Sequence, residues 1–377
     1  MVSPNYIALA VPFFFLLIGV ELAVARRRGR PGIYRFADAL SDLGCGVVER
    51  LVLLFVEASL LLAYVALYQH ARLVDLGPHP VLAWIVAIVG VDLGYYWWHR
   101  ISHRVNALWT AHVVHHQSED FNLAVALRQG VLTPFTMLPF GWPLALLGVP
   151  PLVFVIASSV NLLYQFWIHT ELVGRMGPLE LVLNTPSHHR VHHGRNPRYL
   201  DRNYAGMFIV WDRLFGTFEP EGEPVRYGIT KPLRSFNALW AQVQPVADLV
   251  ALSRAAPSVG QGVAVWLAPP ERKFSWEHPA AAAEATAAKY DVLTPARVRA
   301  YVLLNFALAV AGTFVLMLLG PQLAWPVLAA GVALVMLTVI TGAGLTEGRR
   351  WARPLERVRV AALAAAAVWY LAVHLGA

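Results

Sequence analysis

Long apolar runs dominate the hydropathy pattern of the chain, at residues 7–24, 47–67, 81–98, 131–149, 152–168, 300–319, 323–340 and 360–375. Each is close to the roughly 20 residues a helix needs to cross a bilayer. In lipid only helices and closed barrels satisfy their own backbone groups. The pattern predicts an all-α integral membrane protein with about six to eight membrane helices. Pro134, Pro139, Pro143 and the Pro150–Pro151 pair punctuate residues 131–168. This part therefore reads as a bent pair of spans or a re-entrant hairpin, either of which returns the chain to the same side. Charges inside the runs are few: Glu21 in the first, Glu49, Arg50 and Glu57 in the second, Asp92 in the third.

If successive runs cross, the clusters Arg26–Arg30, Arg100 with Arg104, Arg190, and Arg349–Arg359 all fall on one side. The positive-inside rule makes that side cytoplasmic, in a bacterial inner membrane or an endoplasmic-reticulum type membrane. The first run lacks a positive start and a small-residue cleavage site, so it reads as a retained span. The expected organisation is N-terminal membrane helices at 1–98, a histidine-rich core at 99–231 that includes the hairpin 131–168, a polar connector at 232–299, and C-terminal membrane helices at 300–377. Residues 194–256 and 269–294 read as connecting segments.

Composition supports this reading. The 377 residues are 57% hydrophobic and 14% charged, against about 25% charged in soluble domains. The net charge of +7 is accounted for by basic residues flanking spans. No basic recognition motif accompanies it, so a nucleic-acid partner is not expected. A single cysteine, Cys45, excludes an intramolecular disulfide.

Histidine changes the picture. Ten of the fourteen fall between His99 and His193. His99 and His103 are four apart; His112, His115 and His116 form one HxxHH group, and His189, His192 and His193 another, with His188 adjoining. On a helix, residues three and four apart share a face, so each group aims its imidazoles at one place. Eight nitrogens exceed the needs of one tetrahedral zinc and suit two metals with open positions. Asn161, Gln165 and His169 recur every four residues, which makes His169 a candidate ninth ligand and Gln165 its neighbour. Asp92, two turns before His99, is a candidate to orient a ligand imidazole or to pair with a neighbouring helix. Glu119, Asp120, Asn122, Arg128, Asn184 and Asp212 are further candidates for supporting or substrate-facing roles. The isolated His70, His79, His278 and His374 read as ordinary structural histidines.

HRISH, HVVHH and HHRVHH, in this order and spacing, resemble the fatty acid hydroxylase and sterol desaturase superfamily of membrane di-iron enzymes. The words HHQSEDFNLAVALRQ, NLLYQFWIHTE, GPLELVLNTPSHHRVHHGRN and NYAGMFIVWDRLFGTFE are similar to its ether-lipid-cleaving branch. The resemblance spans about residues 92–231. It implies two iron ions held near the cytoplasmic face by His99, His103, His112, His115, His116, His189, His192 and His193. It also implies oxygen, a lipid from the bilayer and an external electron donor, tetrahydrobiopterin or another reductant. The implied reaction is hydroxylation of a lipid C–H bond, at the carbon next to the ether oxygen in the case of an alkylglycerol, with release of a fatty aldehyde. Zinc could occupy the same histidines in a purified sample. Two departures stand out. Where lipid hydroxylases of the superfamily carry a further HxxxH, this chain has Gln165 and His169. Where the ether-lipid branch has glutamate after the first motif, this chain has Arg104. A hydroxylase or desaturase of fatty acyl, sterol or carotenoid chains is the alternative within the superfamily. A histidine-rich metal transporter or store is the alternative outside it. A transporter, however, would place its histidines along a path within the spans.

Overall fold

The computed structural model describes residues 6–277 and 288–375. Its thirteen α-helices in the described residues are α1 (Tyr6–Arg27), α2 (Phe36–Ala71), α3 (Pro80–Ser102), α4 (Asn106–His116), α5 (Thr133–Leu146), α6 (Pro151–Trp167), α7 (Pro186–His192), α8 (Val210–Leu214), α9 (Ala238–Arg254), α10 (Val259–Leu267), α11 (Ala296–Leu319), α12 (Trp325–Thr346) and α13 (Ala352–Leu375). Pairing of extended chain is confined, among the described residues, to two isolated bridges, Leu183 with Phe208 and Gly194 with Tyr227.

All eight apolar runs are helical. Five helices, α1, α2, α3, α11 and α12, are long and apolar enough to cross a membrane, and α13 opens on Arg353, Glu356, Arg357 and Arg359 before its apolar part. Apolar side chains such as Phe13, Leu16, Leu62, Val81, Leu304 and Leu308 are exposed on these helices. In a soluble protein such a surface would be a liability, whereas in a bilayer it is what the solvent requires. The chain is an integral membrane protein.

Helix length places the site. At 1.5 Å per residue, the 36 residues of α2 extend about 54 Å, well beyond a hydrocarbon core of about 30 Å. The excess lies at its N-terminal end, where Asp38, Ser41 and Asp42 are buried among polar partners. Helices α5 and α6, by contrast, have only 14 and 17 residues. Proline at 139 and 143 inside α5, and at 151 in the first turn of α6, keeps both short. The two form a hairpin whose tip turns at Gly148, with φ +75°; a Cβ there would lie 1.9 Å from the Val74 carbonyl oxygen. The Leu73 and Leu76 amides donate to the carbonyls of Leu146 and Gly148, tying the tip to the segment after α2. The open ends of α5 and α6 return to the histidine-bearing side, where Arg28 donates to the Leu172 carbonyl and Arg30 pairs with Glu171.

Two apolar cores hold the spans together. Cys45, Val48 and Leu51 of α2 pack with Ala238 and Ala241 of α9, Phe306 and Ala309 of α11, and Val335 and Val339 of α12. Tyr64, Ala83, Ala87, Leu144, Ala145 and Ala157 join α2, α3, α5 and α6. Small residues at these contacts let the helix backbones approach closely, the usual source of association energy in lipid.

The segment read as connector is not featureless. Residues 194–256 contain α8 and α9, and α10 follows. Asn237 caps α9 by accepting from the Leu239 and Trp240 amides, and Ser258 caps α10 by accepting from Gln261. Mixed polar and apolar composition hid these helices, which are too short or too polar to be spans; α9 and α10 pack over α4. Part of the 269–294 segment, with His278, lies outside the described residues.

Candidate metal centre

Every histidine of the three motifs sits at a helix end or on a short helix on one side of the bundle. His99 is in the last turn of α3 and His103 follows it; His112, His115 and His116 lie along α4; His189 and His192 lie on α7 and His193 directly after it. Thus 3.6-residue periodicity, rather than loop geometry, sets their convergence. His169 follows the end of α6.

The nine imidazoles form two groups. His99, His103, His112, His116 and His192 make one, and His115, His169, His189 and His193 the other; in each, the candidate ligand atoms lie within 4.8 Å of one another. All nine are buried. In the first group His116 Nε2 lies 2.9 Å from His112 Nε2 and 3.1 Å from His192 Nε2. In the second, His169 Nε2 is 3.1 Å from His115 Nε2 and 2.9 Å from His189 Nε2, which is 3.2 Å from His193 Nε2. Ligand nitrogens about 2.1 Å from a shared cation and at right angles to one another would be about 3 Å apart. The Nε2 atoms of His99 and His103 are buried without a hydrogen-bond partner, an expensive state unless a cation faces them. This all-nitrogen donor set fits two borderline metal ions, iron, zinc, copper or nickel, one per group. The groups adjoin: the His116 and His193 rings stack with centroids 4.4 Å apart.

Backbone carbonyls orient the rings. His99 Nδ1 lies 2.7 Å from the Tyr204 carbonyl, His115 Nδ1 2.9 Å from that of Arg128, His169 Nδ1 2.7 Å from that of Gln165, and His192 Nδ1 2.9 Å from that of Arg202. A proton on Nδ1 donated to a carbonyl leaves the Nε2 lone pair for a metal and fixes the ring plane. Asp201 stands 3.7 Å from His103 Nδ1 and also pairs with Arg104 at 2.6 Å, while Arg104 pairs with Glu271 at 3.0 Å. An acid thus does reach the first motif, but from the loop after α7 rather than from the position after His103.

Burial holds the imidazoles outside the spans neutral. His112, His116, His169, His189, His192 and His193 lie well below the ordinary histidine range, and His115 is pushed down to about 4, chiefly by desolvation. Repulsion among neighbouring imidazoles adds to this, and at His115 the Arg128 guanidinium contributes ahead of His103. In the unfolded chain these groups take up protons near pH 6.5, and in the folded chain only at lower pH. Between those limits the unfolded state binds more protons, so stability falls as pH falls. The metal-free protein is therefore expected to keep a constant melting temperature above about pH 7 and to lose it steadily below, by thermal unfolding in detergent. A flat profile from pH 7 to 5 would contradict the burial of neutral rings.

The remaining sequence candidates build the scaffold. Asp92 accepts from the Met207 and Phe208 amides at 2.6 and 3.0 Å, from Trp211 Nε1 at 2.8 Å and from Asn161 Nδ2 at 2.6 Å. The carboxylate is thus occupied by α6 and the 207–211 segment, and of its two expected roles it takes the helix pairing rather than the imidazole contact. Gln165 donates to Asn161 Oδ1 at 2.7 Å. His188 turns away from both groups, toward Glu180 at 3.9 Å and the Phe218 ring. Glu119 accepts from the Tyr290 amide, and Asp120 holds Arg35 and Lys289. Asn122 donates to the Ile33 carbonyl, and Asn184 to those of Ala205 and Gly206. Asp212 accepts from the Tyr204 and Ala205 amides, fixing the segment that carries the Tyr204 carbonyl. All five make contacts within the protein, while Asn184 Oδ1 is buried without a hydrogen-bond partner.

Arg128 is buried and donates to the Val114 carbonyl, Ser41, Asp42 and Gln117. Its removal strands the Asp42 carboxylate, so Arg128→Met is expected to destabilise the protein by about 3–5 kcal/mol, by thermal unfolding in detergent.

Two cavities reach the histidines from different directions. One of about 170 Å³ lies among the spans, with Phe14, Trp98, Leu163 and Met317 in its wall and His112, His115 and His169 at its end. The other, about 520 Å³, is bordered by Trp109, Trp276, Arg195, Lys231, Asp201 and Glu271 and reaches His103, His116, His192 and His193. A lipid-side and a polar cavity thus meet at one buried centre.

Fold and site define an integral membrane protein built around a two-centre histidine cage. Comparison with known proteins adds a likeness: residues 84–217 match the fatty acid hydroxylase family model. It is 49% identical to human alkylglycerol monooxygenase over 240 residues, 63% of this chain and 54% of that protein. It is 45% identical to the Xenopus tropicalis alkylglycerol monooxygenase over 242 residues, 64% and 54% of the two chains. An ornithine lipid hydroxylase of Rhizobium tropici is 32% identical over 162 residues, 42% and 49%. The chain spans about half the length of the curated relatives it matches. No solved structure matches.

Proposed function

We propose that this protein is a membrane-bound non-haem di-iron monooxygenase that hydroxylates a lipid C–H bond, at the carbon next to the ether oxygen of an alkylglycerol. The observation that carries the reading is the junction of an apolar cavity within the spans and a polar cavity outside them at one cage of nine histidines. Likeness to the alkylglycerol monooxygenases over 63% of the chain supports the substrate class.

His99, His103, His112, His116 and His192 would hold one iron, and His115, His169, His189 and His193 the other. Bound iron would supply the reductive activation of oxygen, in which two electrons and two protons send one oxygen atom into the C–H bond and the other to water. The chain supplies the rest. The carbonyls behind His99, His115, His169 and His192 keep their Nε2 atoms unprotonated. Trp98 and Phe121 border the rings, with Trp98 5.2 Å from His112 and Phe121 5.1 Å from His193, and exclude water from that side. The apolar cavity holds an alkyl chain with its oxidisable end at His112, His115 and His169. Hydroxylation beside an ether oxygen yields a hemiacetal. Its hydroxyl proton passes to the ether oxygen as that C–O bond breaks, releasing a fatty aldehyde and glycerol. A reductant, a pterin or another donor, would enter through the polar cavity, whose charged rim suits a water-soluble molecule. The clustering of Arg28, Arg30, Arg104 and Arg190 at the histidine end supports a cytoplasmic-facing site.

The test is anaerobic loading of the detergent-solubilised protein with ferrous iron and measurement of metal per chain. Oxygen, a pterin reductant and a 1-O-alkylglycerol are then added and fatty aldehyde is assayed. Two irons and aldehyde are expected. Two irons and an alcohol from a fatty acyl or sterol substrate would instead favour the reading to which the ornithine lipid hydroxylase and the more distant human cholesterol 25-hydroxylase lend support. No iron uptake would overturn both.

A further inference from the structure

The apolar cavity contains a charged pair that the metal site does not use. Glu49 and Arg50 are consecutive on α2, inside the second apolar run, and both border the cavity that ends at His112, His115 and His169. Neighbouring residues on a helix normally point apart. Here the Arg50 guanidinium nonetheless closes a two-pronged hydrogen bond onto the Glu49 carboxylate. Glu49 is 3% exposed. Among the described residues neither side chain hydrogen-bonds to any other group, so the second Arg50 amino group and the remaining carboxylate lone pairs have no hydrogen-bond partner there, and Glu57 acts on Arg50 only through its charge. Ionisable groups buried beside an apolar cavity are expensive, and those that persist commonly serve a bound molecule.

Position relates the pair to the reaction centre. Gly46 packs against the Leu127 carbonyl, next to Arg128, whose own carbonyl holds His115. Residues 49 and 50 lie about one helical turn, roughly 5 Å, further along α2. A molecule reaching the histidines through this cavity therefore passes a paired acceptor and donor beside them.

We infer that Glu49 and Arg50 determine specificity by binding the hydroxyl groups of a neutral lipid, and so fix which carbon of its alkyl chain lies at the histidines. The inference rests on the oxygenase reading for what happens next, and on the cavity alone for the binding. The chemistry selects the ligand class. A carboxylate accepts from a hydroxyl and a guanidinium donates to a hydroxyl or ether oxygen, so a diol satisfies both members. A phosphate or free fatty acid gains from Arg50 but meets the Glu49 charge at the same place, and a plain hydrocarbon leaves the pair unserved.

Equilibrium binding of radiolabelled 1-O-hexadecylglycerol, its dimethyl ether with both hydroxyls blocked, and palmitate to the full chain in detergent provides the test. The wild type is expected to prefer the diol to either analogue by about tenfold or more, the worth of one to two hydrogen bonds. Glu49→Gln combined with Arg50→Met should bind diol and dimethyl ether alike, with unchanged ferrous iron per chain showing that the cage is still folded. The single Glu49→Gln, which keeps a carbonyl acceptor but loses the charge, should weaken discrimination against palmitate. Equal binding of all three lipids by the wild type, or full retention of the diol preference by the double variant, would overturn the inference. Aldehyde formation by the iron-loaded wild type reports separately on the oxygenase reading, which can fail while the binding preference stands.

Discussion

On the proposed di-iron oxygenase reading, replacing His115 with alanine is expected to lower bound iron from two per chain to about one and to reduce lipid turnover by more than a hundredfold. Outer partners of metal ligands already change affinity or activity by about 10–100-fold, so loss of a ligand falls beyond that range. His115 is the sharpest choice because it belongs to the four-membered group, which has less redundancy than the five-membered one. It also borders the cavity among the spans, and its Nδ1 is pinned by the Arg128 carbonyl. His188→Ala is the matched control. It lies in the same HHRVHH word, one residue before His189, yet it faces Glu180 and Phe218 and belongs to neither group. Metal per chain and turnover should stay near wild type in His188→Ala and collapse in His115→Ala. If both variants kept two metals, the division into groups would be wrong.

That contrast also shows what the sequence could and could not disclose. Eight motif histidines were legible because helix periodicity makes spacings of three and four residues a statement about space. His169 was legible for the same reason, through Asn161 and Gln165 on one face of α6. The apolar runs announced the spans, and the prolines of α5 and α6 announced the short hairpin. The partition of nine rings into five and four was not legible, since it depends on how α3, α4 and α7 cross. Nor were the oxygens behind the rings, because a backbone carbonyl carries no side-chain signature: Tyr204, Arg202 and Gln165 orient histidines through atoms that every residue has. Asp201 is a side-chain signal, but it approaches His103 across a loop from almost a hundred positions away. Arg104 illustrates the same limit. Read alone it reverses the charge beside the first motif; in the fold it is neutralised by Asp201 and Glu271.

Asp92→Ala is expected to destabilise the protein by about 4 kcal/mol or more, and to cost metal at the histidines although Asp92 touches none of them. Each buried donor left unpaired costs about 1–3 kcal/mol, and this carboxylate serves four: two backbone amides, the Trp211 indole and the Asn161 side chain. Asp92→Asn should not rescue, because its amide presents two hydrogens to groups that are themselves donors. The effect on metal follows from chain connectivity. Asp92 holds residues 207–211, Asp212 holds residues 204 and 205, and between them they fix the Tyr204 carbonyl that orients His99. Loosening that segment frees the ring to rotate, and a rotated imidazole no longer presents Nε2 to the first group. Gly206→Ala approaches the same joint from the other side, since a Cβ there would come 2.7 Å from Asp92 Oδ1 and about 3 Å from the Asn161 amide. Both variants should lower the melting temperature in detergent and lower metal occupancy in step, with the His99 group emptying first. Loss of stability with full metal retention would instead make Asp92 a brace for α3 and α6 alone, and would detach the histidine cage from the loop that closes over it.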